Sequence, residues 1–212
     1  MNKILNKQEL FDKIITILTE NKFIANSDSK DGRINSVKDE DTIVDTLLKS
    51  ELKEYIVIQN IRQVADIVFK INEELIHFNI KTTNGKSADN IFSKLGTLIA
   101  FTDIDANELK CSISWNDFTD KLFNNYKETD RDYYYLVIDK ISGRVMIRGL
   151  KELNTIKTNP SNILQMEWYK EFDRPKRNEG FENSFSYVTG LICESLKKDI
   201  NGKDKFLCAF NS

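Results

Sequence analysis

An acid, an amide and a lysine are the residues of this chain best placed to do chemistry. Asp66 sits in the apolar run Ala65-Asp66-Ile67-Val68, and twelve residues separate it from Asn79 in the run Phe78-Asn79-Ile80-Lys81. A β-strand alternates its faces, so Asn79 and Lys81 project from one side with His77, while Ile76, Phe78 and Ile80 take the other. The link Asn72-Glu73-Glu74 is short and polar, which predicts a hairpin that brings Asp66 near Asn79 and Lys81. Carboxylate and amide oxygens are hard donors suited to Mg2+, and an ammonium beside them neutralises a phosphate. Hydrolysis of a phosphodiester needs an activated water, charge relief at phosphorus and a stabilised leaving oxygen, and a cation with these residues can supply each. The bland alternatives are an edge acid at Asp66 and a solvated strand face at Asn79 and Lys81.

The pattern Asp66, twelve residues, Asn79-Ile80-Lys81 resembles the active-site motif of the PD-(D/E)XK nucleases. In that motif an acid on one strand is followed by acid-x-lysine on the next. The longer segment Phe78-Asn79-Ile80-Lys81-Thr82-Thr83-Asn84-Gly85-Lys86-Ser87-Ala88-Asp89-Asn90 is similar to type II restriction endonucleases. So are the segment 31–41, Asp31-Gly32-Arg33 through Asp39-Glu40-Asp41, and the segment 159–166, Asn159-Pro160 through Met166. A finer resemblance is to the enzymes that cut GANTC.

The resemblance implies one restriction-endonuclease-like domain over residues 1–212, an α/β (α+β) fold with a central, mixed, five-stranded sheet flanked by helices. It implies site-specific hydrolysis of double-stranded DNA with Mg2+, or Mn2+ in its place, by a homodimer in a bacterial cytoplasm. Asp66, the Asn79 side-chain oxygen and the Ile80 backbone carbonyl are the implied metal ligands, and Lys81 the residue that polarises the attacking water. Glu40, on a helix, is an implied extra carboxylate, with Asp39, Asp41 and Asp45 as competitors. The chain departs from the pattern at Ala65, where proline is expected, and at Asn79, where an acid is expected. A natural amide ligand and an acid-to-amide replacement that traps an uncut complex both account for Asn79. An inactive DNA-binding protein of the same fold therefore stays open, as does a non-enzymatic protein-interaction domain.

The elements that must position these residues follow from hydrophobic periodicity. Helices are expected over residues 7–21, around Ile43 to Leu48, from about Ala88 to Phe101, over 115–126 and over 185–196. Residues 26–39 read as polar and turn-rich. Strands are expected at 55–58, 66–71, 76–82, 133–138, 145–150 and 163–168, with a terminal strand at 206–210. Asn84-Gly85 and Ile141-Ser142-Gly143-Arg144 read as turns. Asn84, Lys86, Ser87 and Asn90 form a polar stretch on the expected helix start, where amides can hold a phosphate and side chains can read base edges. Ordinary capping by Ser87 is the alternative. Arg33, Arg174, Lys176 and Arg177 are the further DNA-binding candidates, the last three within a basic loop that gives salt-sensitive phosphate contacts or merely a solvated surface.

The chain has 212 residues, 40% of them hydrophobic and 30% charged, enough for a sizeable core. Its net charge of -2 argues mildly against a non-specific DNA coater. Cys111, Cys193 and Cys208 form no zinc pattern and no disulfide framework, which fits a reducing cytoplasm. No apolar run is long enough for a signal peptide or a membrane helix. His77 is the only histidine, so histidine-based acid–base catalysis has little support and a structural role is expected. The alternating tyrosines Tyr133, Tyr134 and Tyr135 read as core and rim. There is no GxxxxGK[ST] phosphate loop.

Overall fold

The computed structural model describes residues 5–21, 32–57, 64–85, 88–109 and 112–210. Two helices lead, α1 (Lys7–Glu20) and α2 (Gly32–Leu48). Strands β1 (Ile56–Val57), β2 (Ile67–Ile71) and β3 (Glu74–Thr83) follow. A crossover then carries β4 (Asp89–Asn90), α3 (Lys94–Phe101) and α4 (Trp115–Asn125). The chain re-enters the sheet as β5 (Tyr133–Asp139) and returns as β6 (Val145–Gly149). Strands β7 (Ile156–Asn159) and β8 (Ile163–Met166), a short helix α5 (Trp168–Glu171) and the long helix α6 (Phe181–Phe210) complete it.

The central sheet is mixed, with strand order β1-β2-β3-β5-β6. Among the described strands only β3 and β5 run parallel, and a parallel pair needs a long crossover. That requirement is what places β4, α3 and α4 over one face. The predicted hairpin is present: Ile71 pairs with Glu74 across Asn72-Glu73, and Asn72 takes φ 53°, a left-handed conformation that asparagine tolerates. Strands β4, β8 and β7 form a second, smaller sheet.

Strand alternation divides the core in two. Ile67, Phe69, Phe78, Ile80, Tyr134 and Leu136 pack against Leu10, Phe11 and Ile14 of α1 and Ile43 and Leu47 of α2. Asn6 caps α1 in a reciprocal pair with Glu9, its side chain accepting the Glu9 amide at 2.9 Å. The opposite face, with Val68, Tyr133, Tyr135 and Val137, packs under Leu95 and Leu98 of α3, Val188 of α6 and Met166 of β8. The fold is thus α+β, a mixed sheet between helices. All three tyrosines are core residues and none lies on a rim, because both faces of β5 are covered by core clusters. No helix among the described residues is long and apolar enough to cross a membrane.

Several expectations are corrected. The helix expected from about Ala88 begins at Lys94, because Asp89 and Asn90 are drawn into the second sheet opposite Met166 and Gln165. The cap is therefore Ser93, whose hydroxyl accepts the Gly96 amide at 2.9 Å, and not Ser87. The terminal strand expected at 206–210 is helical, the continuation of a 30-residue α6 that starts before Phe185. Helix α2 begins at Gly32, inside the stretch whose composition is turn-rich, and β7 forms where hydrophobic periodicity marks no strand.

Candidate active site

Asp66 lies where β2 begins, and the hairpin register sets it opposite Asn79. Its backbone N–H donates to the Phe78 carbonyl at 2.9 Å. Its carboxylate Oδ2 accepts the Ile80 N–H at 2.7 Å. The side chain thus takes the place of a main-chain acceptor at the end of the ladder, and Asp66 is aligned by both neighbours of Asn79. The carboxylate therefore has a structural task whatever else it does.

Asn79 and Lys81 share a face with His77 and Thr83 on β3, and the parallel register continues that face onto β5. Asn79 pairs with Tyr135, Lys81 with Val137 and Thr83 with Asp139. Both Asn79 and Lys81 are half-buried. Two tyrosines fix what lies above them. Tyr133 donates its hydroxyl to the Val64 carbonyl at 2.9 Å, holding the segment just before Asp66. Burial and then the Asp66 charge push the Tyr133 hydroxyl's pKa up, while the nearby Asn79 and Ser93 side chains pull it down. Tyr135 donates its hydroxyl to the Ile91 carbonyl at 2.8 Å, which ties the β4 segment over Asn79.

That segment brings in Asp89, an acid that hydrophobic periodicity assigns to a helix start. Alternation along β4 sends Asn90 outward, where its side-chain oxygen accepts from Gln165 at 3.1 Å. Asp89 and the buried Ile91 face inward. Burial raises the Asp89 carboxyl's pKa, and Lys81, Trp168 and Lys140 act against that shift. Its Oδ2 is buried without a hydrogen-bond partner among the described residues, as is Trp168 Nε1. No short-range signal in the sequence marks Asp89, because its position depends on pairing with β8, 77 residues further on.

The other expected residues are spread more widely. Glu40 is half-buried on α2, the helix packed on the opposite sheet face. Its neighbour Asp39 is fully buried and pairs with Lys140. Lys140 follows β5 and its N–H donates to the Thr83 carbonyl at 2.9 Å. Asp41 and Asp45 are exposed. Asn84 is exposed at the end of β3, while Lys86, Ser87 and the Arg33 side chain lie outside the described residues. The basic loop sits by the β6 edge, two strands from β3. There Arg174 is exposed, Lys176 pairs with Glu152 at 2.8 Å, and Arg177 pairs with Glu179 at 2.6 Å and stacks on Tyr187. His77 is buried beside the site, and burial with the Arg131 charge lowers its pKa to about 4, so it is neutral and structural.

The donor set fits a hard divalent cation. Asp66 offers a carboxylate, Asn79 an amide oxygen, Ile80 a backbone carbonyl, and Asp89 a further carboxylate on which the Trp168 indole acts. Mg2+ is held by one or two carboxylates and keeps several waters. No group of three or more His, Cys, Asp or Glu side chains with metal-site geometry occurs among the described residues. Comparison with models of known protein families finds no match, and neither does comparison with curated proteins.

Proposed function

We propose that this chain is a type II restriction endonuclease, a Mg2+-dependent, site-specific hydrolase of phosphodiester bonds in double-stranded DNA. The observation that carries the reading is the hairpin register, with Asp66 opposite Asn79 and Lys81 on the same face. The five-stranded mixed sheet between helices supports a restriction-endonuclease-like fold. The tight Asp66–Ile80 hydrogen bond orients the carboxylate before any ligand arrives, which is what a preorganised site requires. Bound Mg2+ would supply the Lewis acidity that lowers the pKa of the attacking water and spreads charge at phosphorus. Lys81 makes no direct hydrogen bond or ion pair among the described residues, so its ammonium is available to the scissile phosphate. Asn84 and Asn90 are both exposed, which supports the reading of them as DNA contacts. Two-fold DNA sites favour a two-fold protein, so the working form is a homodimer with one site per strand.

A second reading is favoured by Asn79. A neutral amide contributes far less to cation binding than a carboxylate, and a DNA-binding protein of this fold that has lost cleavage follows from it. A gel shift in Ca2+ followed by a cleavage assay in Mg2+ separates the two. Binding with cutting supports the nuclease, and binding without cutting supports the inactive relative. Neither binding nor cutting, with Asn79 or with Asn79→Asp, rejects both and leaves a protein-interaction domain.

A further inference from the structure

We propose that Asp89 supplies the second carboxylate of the cation site, taking over the charge that position 79 lacks. This deepens the nuclease reading and rests on it. Asp89 reaches the site through the second sheet and not through the hairpin. Strand β4 is held on one side by β8, with Asp89 opposite Met166. It is held on the other by the Tyr135 hydroxyl, bonded to the Ile91 carbonyl at 2.8 Å, and Tyr135 is the β5 neighbour of Asn79. With Asn90 turned outward and Ile91 in the core, alternation turns Asp89 back toward the sheet. Its Oδ2 is buried with no hydrogen bond of normal geometry among the described residues, and the donor that acts on it is the neutral indole N–H of Trp168, itself without a partner; a neutral donor leaves the carboxylate's charge uncompensated. Lys81 acts on it electrostatically yet makes no ion pair with it. A divalent cation would compensate the charges of Asp66 and Asp89 together. Lys140, paired with the buried Asp39, acts on the same acid more weakly.

The test is a calorimetric titration with Mn2+ alone, with thermal melts to check folding and a plasmid cleavage assay run beside it. Asp89→Asn, nearly isosteric, should weaken Mn2+ binding by about 10-fold or more. Asn79→Asp in the Asp89→Asn background should restore it, because the charge returns from the other strand. If Asp89→Asn melts early, Asp89→Glu is the alternative, and it should keep Mn2+ binding. Unchanged Mn2+ affinity in Asp89→Asn, together with loss in Asp66→Asn, overturns the role of Asp89 and leaves the nuclease reading standing. No Mn2+ binding and no cleavage by the parent or by Asn79→Asp overturns both.

Discussion

Two substitutions at Asp66 should pull its structural and chemical roles apart. The carboxylate Oδ2 accepts the Ile80 N–H at 2.7 Å, and Ile80 is fully buried. Asp66→Ala deletes the acceptor and leaves that amide unsatisfied, a loss of about 1–3 kcal/mol. For a chain of this size each kcal/mol moves the melting temperature by about 2–4 °C, so a fall of roughly 2–12 °C is expected. Asp66→Asn keeps an oxygen in the same place and should stay within about 1 kcal/mol of the parent. On the proposed function, both variants lose the negative charge that would anchor the cation. Several kcal/mol of transition-state stabilisation go with it, on the order of 1,000-fold in rate. The assays are differential scanning calorimetry and supercoiled-plasmid cleavage, in whichever background, Asn79 or Asn79→Asp, cuts faster. The reasoning fails if Asp66→Asn melts as early as Asp66→Ala, or if it cuts at the unsubstituted rate.

Three further outcomes are expected. Burial, with Arg131, lowers His77 from its ordinary 6.5 to about 4; between these values the unfolded chain binds a proton the folded one refuses, and stability falls as pH drops. Burial raises the Asp132 carboxyl from 3.8 to about 7, against the pull of Lys151; here the folded chain keeps the extra proton, and stability falls as pH rises. Asp132→Asn should therefore steepen the loss of stability on acidification and His77→Gln should flatten it, each by up to ~1.4 kcal/mol per pH unit in urea melts from about pH 4.5 to 6.5; identical slopes would count against both assignments. Gly96→Ala should cost about 1–3 kcal/mol, because a Cβ there would lie 2.7 Å from Tyr133 Cδ1; a melt unchanged from the parent would show that α3 yields freely. Sedimentation should give a dimer with DNA bound, whereas a monomer with and without DNA would favour sequential nicking or a non-enzymatic role.

The hairpin was legible in the sequence because both of its signals are local. Alternation in Ile76 to Lys81 assigns the faces, and the short polar link Asn72-Glu73-Glu74 signals the turn, which the structure closes with Asn72-Glu73 alone. Tyr133 to Ile138 was legible for the same reason. What the sequence could not show depends on partners far along the chain. Asp89 and Asn90 carry no β-propensity, and only β8 makes them a strand. Nothing near residue 206 distinguishes a short apolar strand from a helix end. The outcome there is a helix whose Ile200, Phe206 and Leu207 stay exposed. Asp39 could not be chosen over its neighbours, since its burial depends on Lys140, a hundred residues away. The basic loop read as a phosphate grip because composition shows charge and not pairing, and Glu152 and Glu179 take two of its three cations.

The central claim is that the face carrying Asp66, Asn79 and Lys81 cuts DNA with a divalent cation. The most direct measurement is plasmid digestion in Mg2+ by the Asn79 protein, by Asn79→Asp, and by each combined with Lys81→Ala. Lys81 makes no direct hydrogen bond or ion pair among the described residues, so its loss should leave the melting temperature within about 2 °C. The account predicts discrete, Mg2+-dependent fragments from the Asn79 protein or from Asn79→Asp, and intact plasmid from both Lys81→Ala proteins. Fragments appearing at an undiminished rate after Lys81→Ala, or intact plasmid with all four proteins, would contradict it.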